Sequence, residues 1–221
     1  MKVCTEACLF GGMIDPSRSK RILDVGTGTG LLALMLAQRT EATIEAIDLD
    51  PECVAQARAN FDGSPFASRL TVVEGDFREW QPTEPYDLIV ANPPFFGGTI
   101  PSGSAARKMA RHSDSLPLET LCNRGAQRLT PDGTLALLLP NDQINNCIQL
   151  AHASGLTPRM VTRMRHAPGH VPNCAALTLT KSRRINMLQE FADTVEDIKD
   201  HSGHNLSSWS KAILSPYYLR I

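Results

Sequence analysis

No run of apolar residues in this chain approaches the roughly 20 needed to cross a bilayer, so no membrane-spanning helix is expected. The opening Met1-Lys2-Val3-Cys4-Thr5-Glu6 has no apolar stretch behind a basic start, so a secretory signal is not expected either. The six cysteines, at 4, 8, 53, 122, 147 and 174, include no C-x2-C pair. They read as reduced thiols that fill the core rather than as staples or metal ligands. No internal repeat and no low-complexity tract is present. The length of 221 residues suits one α/β domain and is short for two. The expectation is a cytoplasmic, monomeric globular protein without a metal.

Net charge is also nearly absent, at −1, but it is unevenly distributed. Residues 1–96 hold 8 Lys and Arg against 14 Asp and Glu, residues 97–185 hold 11 against 4, and residues 186–221 hold 3 against 5. The basic block includes Arg107, Lys108, Arg111, Arg159, Arg163, Arg165, Lys181, Arg183 and Arg184. Such a block suits a polyanion partner.

Short apolar runs alternate with helical stretches. Strands are expected at 21–25, 43–48, 70–74, 86–91 and 134–139, and helices at 31–39, 52–60, 117–128 and 142–154. Pro51 opens the second helix, with Asp50 as its N-cap. Pro131-Asp132-Gly133 reads as a turn. Residues 158–164 and 175–181 are expected to form a closing hairpin around a Pro- and Gly-bearing loop at 166–173. The polar segment 186–208 reads as a linker-like excursion. A last helix is expected within 207–218, anchored by Trp209 and the tyrosines. Five strand–helix alternations and two late strands predict a seven-stranded, doubly wound, mainly parallel sheet of Rossmann-like type.

Two segments carry chemistry. The first is Asp24-Val25-Gly26-Thr27-Gly28-Thr29-Gly30, at the end of the first strand. Ligands of open parallel sheets sit beyond the carboxyl ends of the strands. The spacing here is G-x-G-x-G, not the G-x-G-x-x-G of dinucleotide enzymes. An acid ahead of the glycines repels a pyrophosphate and attracts a cation. S-adenosylmethionine, with a sulfonium and an ammonium, fits that place; another nucleotide or a structural turn is the competing reading. Asp48, about 20 residues on, is placed to accept from ribose hydroxyls. Asp76 is placed to accept from the adenine amine, with Phe77 packing on the ring.

The second segment is Asn92-Pro93-Pro94-Phe95, after the apolar run Leu88-Ile89-Val90. An exocyclic amine is a poor nucleophile because its lone pair is delocalised into the ring. The Asn92 side-chain oxygen and the Pro93 carbonyl offer acceptors for both of its N–H bonds, which localises the lone pair. Pro93 and Pro94 restrict the backbone that presents these acceptors. Phe95 offers a face for the base, worth about 1–3 kcal/mol.

Together these residues resemble class I S-adenosylmethionine-dependent methyltransferases, in the branch that methylates planar amines. Lys2-Val3-Cys4-Thr5-Glu6-Ala7, Leu9-Phe10-Gly11, Leu31–Arg39 as a whole and Tyr217-Tyr218-Leu219 are similar to bacterial tRNA methyltransferases that make N6-methyladenosine beside an anticodon. Cys4 stands where that family has glycine, and the family has a further short segment ahead of this stretch. The resemblance implies Asn92, Pro93, Pro94 and Phe95 as reacting residues. It implies Thr5, Asp24, Gly26, Thr27, Gly28, Gly30, Asp48, Asp76, Phe77 and Asn92 around the cofactor, and tRNA as substrate. It divides one domain, 1–221, into a lid segment (1–20), a core sheet (21–185) and an extension (186–221). Guanine-N2 or protein glutamine methylation is the alternative within the class, and a non-catalytic RNA-binding module the alternative outside it. His166, His170 and Cys174 are spaced by four, but Pro168, Gly169 and Pro172 preclude a helical metal site; contact with RNA phosphates is the expectation for that loop.

Overall fold

A computed structural model describes residues 4–93, 116–181 and 191–218. Its sheet contains β1 (Arg21–Val25), β2 (Thr43–Asp48), β3 (Leu70–Glu74), β4 (Tyr86–Ala91), β5 (Leu129–Pro140), β6 (Thr157–Arg165), β7 (Cys174–Thr180) and β8 (Ala192–Asp197). The helices are α1 (Thr5–Met13), α2 (Leu31–Ala37), α3 (Pro51–Asp62), α4 (Leu118–Arg128), α5 (Ile144–Ala153) and α6 (Ser208–Leu214).

The strand order is β3-β2-β1-β4-β5-β7-β6-β8, and β7 alone runs against its neighbours. The doubly wound reading therefore holds, with eight strands in place of seven. The central strands are apolar on both faces, as a covered parallel sheet requires: β1 buries Ile22, Leu23, Asp24 and Val25, and β4 buries Tyr86, Leu88, Ile89, Val90 and Ala91. One face packs against α1, α2, α3 and α6 through Phe10, Leu36, Phe61 and Leu214. The other packs against α4 and α5 through Leu121, Ile144 and Cys147. Asp50 caps α3 by accepting from the Glu52 amide at 2.9 Å, with Pro51 in the first turn.

Three expectations are corrected. The stretch 186–208 is not a simple linker, because Ala192–Asp197 joins the sheet edge parallel to β6. Arg163 pairs with Asp193 at 2.8 and 2.9 Å, and Arg165 with Asp197 at 2.5 Å. These arginines are thus engaged by β8 rather than presented to phosphates. Pro131-Asp132-Gly133 is not a turn ahead of the strand. It lies inside β5, where the register against β4 slips between Tyr86 and Leu88, as in a bulge. The N-terminal segment, to which the sequence pattern assigned no element, contains a helix, α1.

Candidate functional site

Position in the sheet decides what can meet. β1 and β4 are adjacent and parallel, with Val25 opposite Ala91. The glycine loop and Asn92 therefore leave neighbouring strand ends, about 4.8 Å apart across the ladder. This is the point where strand order reverses, the crevice where open α/β sheets hold ligands. Asn92 and Pro93 are half-buried there. Pro94 and Phe95 lie outside the described residues, as do Arg107, Lys108, Arg111, Arg183 and Arg184.

The loop is a set of left-handed turns, with φ of +68° at Gly26, +58° at Gly28 and +82° at Gly30. Only glycine adopts such angles without strain. A Cβ on Gly26 would meet nothing within 4 Å, so the loop leaves open space at its crest. A Cβ on Gly30 would stand 2.4 Å from Phe61 Cε1. Gly30→Ala is therefore expected to cost about 3 kcal/mol, from overpacking and backbone strain together, as measured by chemical denaturation.

The loop amides point inward. Gly26 and Thr27 N–H donate to the Ile47 carbonyl at 2.8 and 3.2 Å, and Gly30 N–H to the Thr27 carbonyl at 3.0 Å. Gly28 N–H donates to Asp48 Oδ2 at 2.8 Å, while Asp48 Oδ1 accepts from the Asp50 amide at 2.9 Å. Asp48 thus shapes the loop, and each of its oxygens keeps a second lone pair for a further donor.

Asp24 is 1% exposed. Its Oδ2 accepts from Thr27 Oγ1 at 2.6 Å and from the Ala33 amide at 3.3 Å, whereas its Oδ1 is buried with no hydrogen-bond partner. Burial pushes the carboxyl up to about 6, opposed by the bonds from Thr27 and Ala33, with the Asp48 charge adding to the rise. An unsatisfied buried carboxylate oxygen is costly unless a donor or cation arrives. The open crest at Gly26 and this orphaned oxygen fit a small cationic group beside the loop.

Asp76 and Phe77 both have partners within the chain. Asp76 accepts from Arg78 Nε at 2.7 Å and pairs with Arg78 Nη2 at 2.6 Å, which holds its carboxyl below the usual range. Phe77 is 4% exposed and packs in the core under Arg128, whose guanidinium lies 4.8 Å from the ring centroid. Little of that ring is left for a ligand. The apolar surface at this edge is Leu49, 51% exposed beside Asp48. Its position after the strand-ending acid was the only signal in the sequence, and an isolated leucine there attracts no notice.

Thr5 begins α1 and is exposed. At the carboxyl edge the Cys174 thiol, at the start of β7 opposite Pro140, is pushed up to about 12 by burial, with Glu6 and Cys4 adding. Loop 166–173 emerges at this edge too. Its His166 and His170 rings meet edge-on at 5.7 Å, and among the described residues no His, Cys, Asp and Glu group is arranged to hold a metal ion. A shallow groove lined by Ser17, Lys20, Gln38, Arg39 and Thr43 lies at the opposite edge, away from these residues.

The profile of the methyltransferase small domain family matches residues 7–144. A protein of Parabacteroides distasonis is 41% identical over 228 residues, covering 100% of this chain and 92% of the relative. One from Tolumonas auensis is 42% identical over 185 residues, covering 82% and 77%. Both relatives are tRNA1(Val) (adenine(37)-N6)-methyltransferases. Among solved structures, one described as a predicted O-methyltransferase of Agrobacterium tumefaciens aligns with a TM-score of 0.71 at 18% identity, covering 95% of each chain. The N-methyltransferase NodS of Bradyrhizobium japonicum, with S-adenosyl-L-homocysteine, aligns at a TM-score of 0.56 and 15% identity, covering 79% and 84%. These structural likenesses concern the fold.

Proposed function

The chain belongs to the methyltransferase small domain family, and from that premise we propose that it methylates the exocyclic N6 amine of an adenine in tRNA, beside the anticodon. The methyl donor is S-adenosylmethionine, which supplies an electrophilic methyl on a sulfonium. The register Val25 opposite Ala91 carries the reading, since it sets the glycine loop and Asn92 side by side at the switch point. The relatives' shared activity and their coverage of the chain support the substrate.

Each residue then has a task. Asp24, through its unpartnered Oδ1, attracts the cationic amino-acid end of the donor. Gly26, Thr27, Gly28 and Gly30 bring the backbone close without side chains in the way. Asp48 accepts from ribose hydroxyls with its remaining lone pairs, and Leu49 rather than Phe77 offers the apolar face for adenine. Asp76, already paired with Arg78, is the weakest of the assigned contacts. Thr5 belongs to the lid. At the acceptor side, the Asn92 amide oxygen and the Pro93 carbonyl take the two N–H bonds of the substrate amine. Its lone pair is thereby turned towards the methyl, and the proton leaves only after attack, so no general base is needed beforehand. Pro94 and Phe95 complete the motif, with Phe95 against the base.

The chain acts as one domain in this reading, a monomer in the cytoplasm where tRNA is found. Among the described residues no helix is long and apolar enough to cross a membrane. The test is incubation with labelled S-adenosylmethionine and tRNA, followed by nucleoside analysis. N6-methyladenosine above background is the expected product. N2-methylguanosine, or label in protein glutamine, replaces the substrate assignment, and tRNA binding without cofactor binding overturns catalysis altogether.

A further inference from the structure

Helix α1 lies between α2 and α6, and both contacts are close at a glycine. A Cβ on Gly11 would stand 2.8 Å from Met35 Sδ, and one on Gly12 would stand 2.6 Å from Ile213 Cγ2. Arg39 fastens the same turn, donating to the Gly12 and Gly11 carbonyls at 3.1 and 2.6 Å. The Tyr217 ring lies 5.5 Å from that guanidinium. The C-terminal residues also reach α2 and α1 directly. Gln38 donates to the Pro216 carbonyl at 2.9 Å, the Tyr217 hydroxyl to the Met35 carbonyl at 3.4 Å, and the Tyr218 hydroxyl to Cys8 Sγ at 3.6 Å.

Both ends of this stack are anchored. At one end, the Ser207 and Ser210 hydroxyls tie α6 to the Asp197 and Ile198 carbonyls at 2.5 and 2.9 Å, at the end of β8. At the other, the Ala33 amide of α2 donates to Asp24 Oδ2 at 3.3 Å. A shift of α6 is therefore passed to α1, and from α1 to α2, the helix behind Asp24.

We infer that Ile213 and Tyr217, through α1, are positioning residues that set how tightly the donor end of S-adenosylmethionine is held. This rests on the cofactor reading above. Packed elements with no slack transmit such shifts, and coupling energies of this kind change affinity by roughly 5- to 150-fold. Calorimetric titration of S-adenosylmethionine tests it in four proteins: wild type, Gly12→Ala, Ile213→Ala and the double variant. Gly12→Ala, which drives a methyl into Ile213, is expected to bind about 10-fold more weakly, and Ile213→Ala about 5-fold. The double variant trades one volume against the other and is expected within about threefold of wild type, and melting of the four unliganded proteins well above the titration temperature assigns the losses to affinity rather than to a smaller folded fraction. Hydrogen exchange of the unliganded variants is expected to show faster exchange in α1, and the double variant to reverse it. Wild-type affinity in Ile213→Ala overturns the positioning role, as does a double variant no better than the weaker single one. Absence of binding by the wild type instead overturns the cofactor reading on which the inference stands. If Gly12→Ala does not fold, Ile213→Ala alone decides, since unchanged affinity there also overturns the role.

Discussion

Asn92→Ala is expected to lower turnover on tRNA by at least about 100-fold, the low end for loss of a preorganised hydrogen-bonding group that acts in the transition state. The affinity for S-adenosylmethionine is expected to stay within about threefold, because the amide serves the acceptor amine more than the donor. The two quantities are read by single-turnover methyl transfer and by calorimetry. The reason for so large an effect is chemical. An amine whose lone pair is spread into a ring attacks only when something holds its hydrogens away from the ring plane, and one strand end is placed to do so. Substantial turnover in the variant removes Asn92 from the reaction. Loss of cofactor affinity with turnover preserved at saturation makes it a donor-side residue instead.

Asp24→Asn is expected to weaken S-adenosylmethionine binding by roughly 100-fold, since a buried charge partner contributes on the order of 2–5 kcal/mol. The same change is expected to stabilise the unliganded protein at neutral pH. The Asp24 carboxyl stands at about 6 in the fold, against 3.8 ordinarily, because burial penalises its charge. A carboxyl raised in this way stabilises the folded state fully below its unfolded value, and that contribution is lost as pH rises through about 6. On the order of 3 kcal/mol is involved, enough to move a melting temperature by several degrees in a chain of this size. The difference in melting temperature between wild type and Asp24→Asn is therefore expected to turn against the wild type as pH rises from 3.8 to about 6, and to stay at its full size above about pH 7. Cofactor affinity of the wild type is expected to fall as pH drops below about 6, and the variant to lack that dependence. A variant that melts like the wild type at every pH, or binds the cofactor equally well, contradicts the role given to Asp24.

The central sheet was legible because its strands are short apolar runs closed by turn residues. Arg21–Val25, Thr43–Asp48, Leu70–Glu74 and Tyr86–Ala91 lie where the pattern puts them. β8 was not legible, since Ala192–Asp197 carries three acids in six residues and exposes its first four. What holds it is its pairing with β6 and two arginines of that strand, thirty and thirty-two positions earlier in the chain, which no local pattern reveals. α1 was hidden for the opposite reason: Ala7 to Gly11 is buried without a polar face, so it has no amphipathic period to detect. The glycine loop and Asn92 could be placed from sequence because strand ends fix them. Asp76 and Phe77 could not, because their surroundings depend on Arg78 and Arg128.

The inward-facing amides of the glycine loop have one more consequence. With Gly26, Thr27, Gly28 and Gly30 all donating to Ile47, Asp48 and Thr27, the turn offers no ring of free hydrogens to an anion. Phosphate-gripping loops work by presenting such a ring. A phosphate-bearing nucleotide is therefore expected to find these four amides already taken, while the unpartnered Asp24 Oδ1 favours a cation.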